Sequence, residues 1–320
     1  MRSSSSSSLI ASLVTPPIVA AVAPPRSLAA TWPIVLAAAL AACTSSGGAG
    51  DKCSSTKPCT GGAVCDMTNP GGPVCIDGSG DLDGDGIPNN KDFCNHMAGG
   101  QFDEDGDGIG DECDACPIAK PPTTADGDND MVDAPCDPDT TMGGDKIVLF
   151  NGFNGALPNG WKATAGWTFT GGDAVAAAAG ASETITVPLP VPSNQVALLA
   201  AYRVDTSSTS ADAGVSAASR LPMGVTLTSC GATRAAVGGD NVQATSNVGT
   251  QTKSAMNLFD PASHYRFGEH IDGGTINCGL IADKETGAVT NGYNGELVNE
   301  VGIYARGATL RFAYLLVMSR

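Results

Sequence analysis

DLDGDGIPNNKD, running from Asp81 to Asp92, and DEDGDGIGDECD, running from Asp103 to Asp114, carry one pattern twice. Oxygen-bearing side chains stand at positions 1, 3, 5, 9 and 12 of each copy. They are Asp81, Asp83, Asp85, Asn89 and Asp92, then Asp103, Asp105, Asp107, Asp111 and Asp114. A third run opens with Asp126, Asp128 and Asp130 and ends at Asp137, with Met131 in a glycine position and a later acid displaced to Asp133. Ca2+ is a hard ion that takes six to eight oxygens, and alternate residues of a tight turn can wrap it. Gly86 and Gly108 give the backbone the freedom such a turn requires. The spacing therefore points to Ca2+ as the ion, with the third site weaker or differently built.

The same stretch decides where a packed core cannot lie. From Asp81 to Asp139 there are 17 acids against two lysines, Lys91 and Lys120, in a chain of 320 residues with a formal net charge of −16. Nearly all the net charge is therefore here. Such a block repels itself and stays solvated unless cations neutralise it. A disordered acidic linker would not keep two copies in register. No basic patch is present to displace counterions from phosphates, which excludes nucleic acid as a partner. An EF-hand or dockerin loop needs apolar helices on both sides, whereas the flanks here are Gly, Pro, Asn and Cys, poor helix formers.

The segment from Asp81 to Cys94, followed by QFDEDGDGIGDECDACP from Gln101 to Pro117, closely resembles the thrombospondin type-3 repeat, an acidic run with Cys-Pro punctuation. The resemblance covers residues 79–140. It implies a chain wrapped around Ca2+ with little apolar core. It also implies that successive cysteines pair, Cys94 with Cys113 and Cys116 with Cys136. Such a segment is a spacer that swells without Ca2+ and stiffens with it.

Of eleven cysteines, one closes Leu40-Ala41-Ala42-Cys43 after an apolar run over residues 28–42. This resembles a bacterial lipoprotein export signal. The resemblance implies removal of residues 1–42, lipidation of Cys43, attachment to a membrane by that lipid and, with Thr44 next, the outer membrane. Ten cysteines remain, an even number that reads as a disulfide framework in an oxidising compartment. Zinc is the competing reading of Cys113-x-x-Cys116, but His96, His264 and His270 supply no matching second pair. Residues 43–52 form a flexible tether. Residues 53–78 hold Cys53, Cys59, Cys65 and Cys75 among few large apolar side chains, so two disulfides must supply the order, by any of three connectivities.

From Lys146 onward the acids thin out, and short apolar runs alternate with Gly, Pro, Asn and Ser. Strands are predicted at 147–150, 167–170, 183–187, 196–204, 224–228, 264–268, 275–281, 299–305 and 309–317. Residues 174–181 read as a strand edge and loop. Many short strands with turn punctuation predict a β-sandwich over residues 145–320. Cys230 and Cys278 are expected to pair across it, since free thiols are unusual in such a compartment. Leu157-Pro158-Asn159-Gly160-Trp161 with Trp167, and the closing Val301-Gly302-Ile303-Tyr304 with Phe312-Ala313-Tyr314, resemble laminin-G-like, concanavalin A-like jelly rolls. That implies a first and a last strand side by side.

The carboxylate run of concanavalin A-like glycosidases has no counterpart, because Glu296 and Glu300 lack a middle acid. There is no G-x-S-x-G. The expected fold class is mainly β: a C-terminal jelly-roll sandwich preceded by an irregular segment stabilised by calcium and disulfides. The expected function is a surface-anchored, non-enzymatic adhesion protein whose head binds a glycan or a protein. The alternatives are a purely structural envelope spacer and a glycan hydrolase whose site the sequence does not display.

Overall fold

The computed structural model describes residues 47–54, 56–120, 126–177, 182–206, 212–220, 227–235, 239–282 and 286–320. The expected export signal, residues 1–42, and Cys43 lie outside the described residues. Among the described residues, no helix is long and apolar enough to cross a membrane. Two compact units divide them, one of residues 47–103 and 108–114, the other of 104–107 and 115–320.

The first unit is held by cross-links rather than by a core. Among its described residues the strands are a hairpin of β1 (Ala63–Asp66) and β2 (Val74–Asp77), with Cys65 opposite Cys75. Each of these cysteines bonds away from the hairpin, Cys65 to Cys53 and Cys75 to Cys59. This interleaved pairing is one of the three that the sequence left open. Cys94 bonds to Cys113. The buried carboxylate of Asp66 accepts the Thr68 N–H and hydroxyl, and His96 Nε2 lies 2.5 Å from its other oxygen. A carboxylate hidden from water is thereby fully partnered.

The second unit is a sandwich of antiparallel strands: β3 (Lys146–Asn151), β4 (Lys162–Ala163), β5 (Trp167–Thr170), β6 (Asp173–Ala176), β7 (Glu183–Ser193), β8 (Gln195–Thr206), β9 (Asp212–Arg220), β10 (Leu227–Ala235), β11 (Gly239–Ser246), β12 (Gly249–Ala255), β13 (His264–Asp272), β14 (Thr275–Ala282), β15 (Thr286–Gly292), β16 (Val298–Arg306) and β17 (Thr309–Ser319). One sheet runs β12-β11-β10-β9-β16-β7-β4. The other runs β15-β14-β13-β8-β17-β6-β5, with β3 added on β17. The first and last strands of the sandwich thus lie side by side, Phe150 opposite Leu316. The sheets are tied by Cys230 of β10 bonded to Cys278 of β14.

Alternation with period two fills the space between the sheets. Ile185, Val187 and Leu189 of β7 meet Leu198, Ala200 and Tyr202 of β8 in one apolar cluster. The register of β17 shifts between Phe312 and Tyr314. Such a bulge moves the following side chains to the opposite face. Phe312, Leu315 and Val317 therefore join the central core, while Tyr314, Leu316 and Met318 point outward. The outward set is still buried, packed with Ala197 against Cys116, Val132 and Cys136. The third acidic repeat, cross-linked by Cys116–Cys136, thus forms part of the same compact unit as the sandwich.

Strands β9, β11, β12 and β15 were not marked by the sequence. Residues 174–176, read as a strand edge, belong to β6, where Ala174 and Ala176 are fully buried between β17 and β5. Among the inward positions of β13 (Tyr265, Phe267, Glu269, Ile271), one is a glutamate that is only 1% exposed. No hydrogen bond of ordinary geometry reaches either carboxylate oxygen. The nearby Thr228 hydroxyl favours the ionised form, but burial outweighs it and pushes the Glu269 carboxyl up to about 8.

Candidate metal centres

Each acidic loop is curled by its own side chains. Asp81 Oδ2 accepts the N–H of Gly86 at 3.0 Å, Asp103 Oδ2 that of Gly108 at 2.9 Å, and Asp126 Oδ2 that of Met131 at 2.8 Å. The acid at position 3 accepts from the residue two further on, Asp83 from Asp85 and Asp105 from Asp107. The acid at position 5 does the same, Asp85 from Ile87 and Asp130 from Val132. These bonds turn the chain so that carboxylates at positions 1, 3 and 5 converge. In Asp81/Asp83/Asp85, Asp103/Asp105/Asp107 and Asp126/Asp128/Asp130, one oxygen from each acid lies within 4.8 Å of the others.

The third loop keeps this shape without its glycines. Gly84 and Gly86 have φ of 81° and 92°, and Gly106 and Gly108 have 72° and 95°. Asn129 and Met131 occupy the matching places at 67° and 75°. Asparagine tolerates that region, but methionine is strained there. Met131 is 79% exposed, so it packs against little that could repay the strain. Met131→Gly is expected to stabilise the second unit by about 1 kcal/mol, read from urea midpoints. An unchanged or lower midpoint would show that the loop carries no strain.

Several carboxylate oxygens are shielded from solvent and have no partner: Asp83 Oδ2, Asp92 Oδ2, both oxygens of Asp128, and Asp137 Oδ2. An unpartnered buried charge is expensive, and a cation is the group that would satisfy it. Asp92 and Asp137 sit at position 12 of their repeats and share one geometry. Asp92 Oδ1 accepts the N–H of Cys94, and Asp137 Oδ1 that of Asp139. Burial pushes Asp137 up to about 6, and Asp133 is raised by burial and by the charge of Asp126. The N–H of Met131 pulls Asp126 the other way. An all-oxygen donor set of this charge suits a hard divalent cation, Ca2+ above all.

The remaining predicted ligands stand outside the tight triads. Asn89 is occupied otherwise: its Oδ1 accepts the Leu82 N–H, and its Nδ2 donates to the Asp77 carbonyl. These two bonds clamp the loop entrance. Asp111 repeats that closure by its backbone, donating its N–H to the Phe102 carbonyl. Asp133 anchors to Ala115 through its N–H, and Asp114 is likewise not among the converging acids. A zinc site at Cys113 and Cys116 is ruled out, because the two belong to different disulfides. Three residues that the sequence did not single out, Gly144, Asp145 and Arg320, complete the third loop. Asp130 Oδ2 accepts the N–H groups of Gly144 and Asp145, and Asp145 pairs with Arg320 Nη2 at 2.5 Å. Asp145 lies beyond the repeat and its partner is 175 residues away, so spacing carried no signal.

These features define a jelly-roll β-sandwich joined to acidic, cation-type loops. No family model matches the chain, and comparison with curated proteins finds no match. Among solved structures it is similar to the CBM2 module of the evolved Dit of Lactobacillus casei BL23 phage J-1, at 11% identity and a TM-score of 0.42, over 55% of this chain and 96% of that one. It is similar to the Ca2+-bound exoplasmic/lumenal domain of VIP36, at 8% identity and 0.41, over 53% and 88%. It is also similar to a Bacillus licheniformis β-glucanase, at 9% identity and 0.40, over 54% and 98%. The fold assignment itself rests on the strand pairing of this chain.

Proposed function

We propose that this protein is a calcium-binding, surface-anchored lipoprotein whose sandwich presents a non-enzymatic binding face to a neutral glycan. The observation that carries the calcium reading is the same loop built three times, with shielded carboxylate oxygens that lack partners. Attachment through Cys43 to an outer membrane belongs to the same reading and rests on the lipobox pattern.

The glycan reading is supported by the outer face of the seven-stranded sheet. Register aligns Thr184 with Tyr304 on one side of β9, and Gly231 with Gln243 and Thr252 on the other. A neighbouring row holds Thr186 and Gly302, then Ser229, Thr245 and Thr250. The side chains are mainly hydroxyls and amides, with Lys162 opposite Thr186 at one end, and they hydrogen-bond among themselves, as in Thr245 with Thr250 and Gln243 with Thr245. A protein interface wants a desolvated aromatic or apolar centre. This face offers one aromatic, Tyr304, among groups that pair with sugar hydroxyls.

Calorimetric titration of the full chain with Ca2+ is expected to give three ions, and fewer than two would end the calcium reading. On a glycan array, binding confined to uncharged glycans would support the second half. A blank array would leave a calcium-stiffened spacer. Turnover of fluorogenic glycans would overturn the non-enzymatic assignment.

A further inference from the structure

We infer that an ion in the third loop fastens residues 115–120 and 126–145 over the outer face of the eight-stranded sheet, so that Ca2+ decides whether that face stays covered. This rests on the calcium reading above and adds a consequence for the sandwich.

The outer face of an antiparallel sheet normally meets water with polar side chains. Here β8 and β17 place Ala197, Leu199, Ala201, Tyr314, Leu316 and Met318 on that face. They are covered by Cys116, Ile118, Ala119, Val132 and Cys136. Burial of this apolar patch pulls the cover onto the sheet.

Charge works against it. The cover carries Asp126, Asp128, Asp130, Asp133, Asp137 and Asp139, followed by Asp145. Arg320 answers this charge from the sheet side, against Asp145 at 2.5 Å and Asp139 at 4.0 Å, and it also donates to the Met142 carbonyl. Arg320, even together with Lys120 of the cover itself, does not balance that many carboxylates.

The loop is also built to receive the missing charge. Asp137 is 6% exposed, and its Oδ2 has no partner. Both oxygens of Asp128 are shielded and unpartnered. Asp130 holds the N–H groups of Gly144 and Asp145, immediately before β3, which pairs with β17. A divalent ion drawing Asp126, Asp128, Asp130 and Asp137 together would therefore fix the cover at both of its attachments. One is the apolar packing of Cys116, Val132 and Cys136 on the sheet, beside Asp137, and the other is the Asp145–Arg320 pair.

The test compares Asp128→Asn with Asp83→Asn, a change in the first loop, in the full chain. Ions are counted by calorimetry, apolar exposure by a hydrophobic dye, and the cover by limited proteolysis. Asp128→Asn is expected to bind one ion fewer, raise dye fluorescence several-fold and become cleavable within 115–145. Asp83→Asn is expected to bind one ion fewer without either change. In the wild type, chelation should produce the same dye and cleavage response, and restored Ca2+ should reverse it, which separates unfastening from misfolding. If Asp128→Asn loses its ion while the cover stays protected, the fastener is wrong and the calcium reading stands. If Asp128→Asn keeps the full ion count, the third loop is not the holder. If the wild type binds no Ca2+, both fall together.

Discussion

Glu269→Gln should make the sandwich more stable at neutral and alkaline pH, by about 3 kcal/mol at pH 7. The folded carboxyl titrates at about 8 and the unfolded one at 4.5. Between those values the unfolded chain releases a proton that the folded chain must keep. Wild-type stability therefore falls as pH rises, by roughly 1.4 kcal/mol per unit, until the folded group also ionises. Glutamine has nearly the same shape and no such proton, so the difference should vanish near pH 4 and level off above pH 8. The facing groups do not offset this cost: Tyr293 is itself pushed up to about 12 by burial, and Thr228 contributes only a hydroxyl. Urea midpoints of both proteins from pH 4 to pH 9 give the answer. Parallel curves would mean that water or a partner reaches the carboxylate.

Removing the Cys230–Cys278 bond should be the largest single loss in the sandwich. It closes a loop spanning 48 residues and joins the two sheets through fully buried sulfurs. Loop entropy for that length is worth about 4 kcal/mol, so a double alanine variant should unfold at a much lower urea concentration. An effect under about 1 kcal/mol would show that the unfolded chain is already compact there.

The legible strands were those rich in β-branched and aromatic residues. β5 was found at its true limits, and β14, β16 and β17 to within two residues. β1, β2 and β4, of two to four residues each, escaped, and so did β9, β11, β12 and β15, which are written largely in Thr, Ser, Gly, Asn and Ala. Those residues also mark turns, and only cross-strand neighbours make them sheet. The acidic loops were legible because period two places their oxygens directly. Asn89 shows the limit of spacing, which marks an oxygen without telling whether it faces an ion or accepts a backbone N–H, as its Oδ1 does from Leu82. The interleaved pairing of Cys53, Cys59, Cys65 and Cys75 was likewise beyond reach, since connectivity depends on a hairpin register that composition does not encode. Glu269 sits in a strand predicted to stop at Gly268, and the four residues by which β13 runs on to Asp272, Glu269 the first of them, were lost with that boundary.

β17 comes last of the sandwich strands along the chain, yet it lies between β8 and β6 and also carries β3. Until it arrives, β8 and β6 present open backbone edges with nothing to pair, a condition prone to mispairing. Closure of the eight-stranded sheet therefore cannot proceed in step with synthesis. The earlier strands must wait for residues 309–319, and the contacts that complete the sheet are among the most distant in sequence. Such a topology is expected to fold slowly and in a single late event.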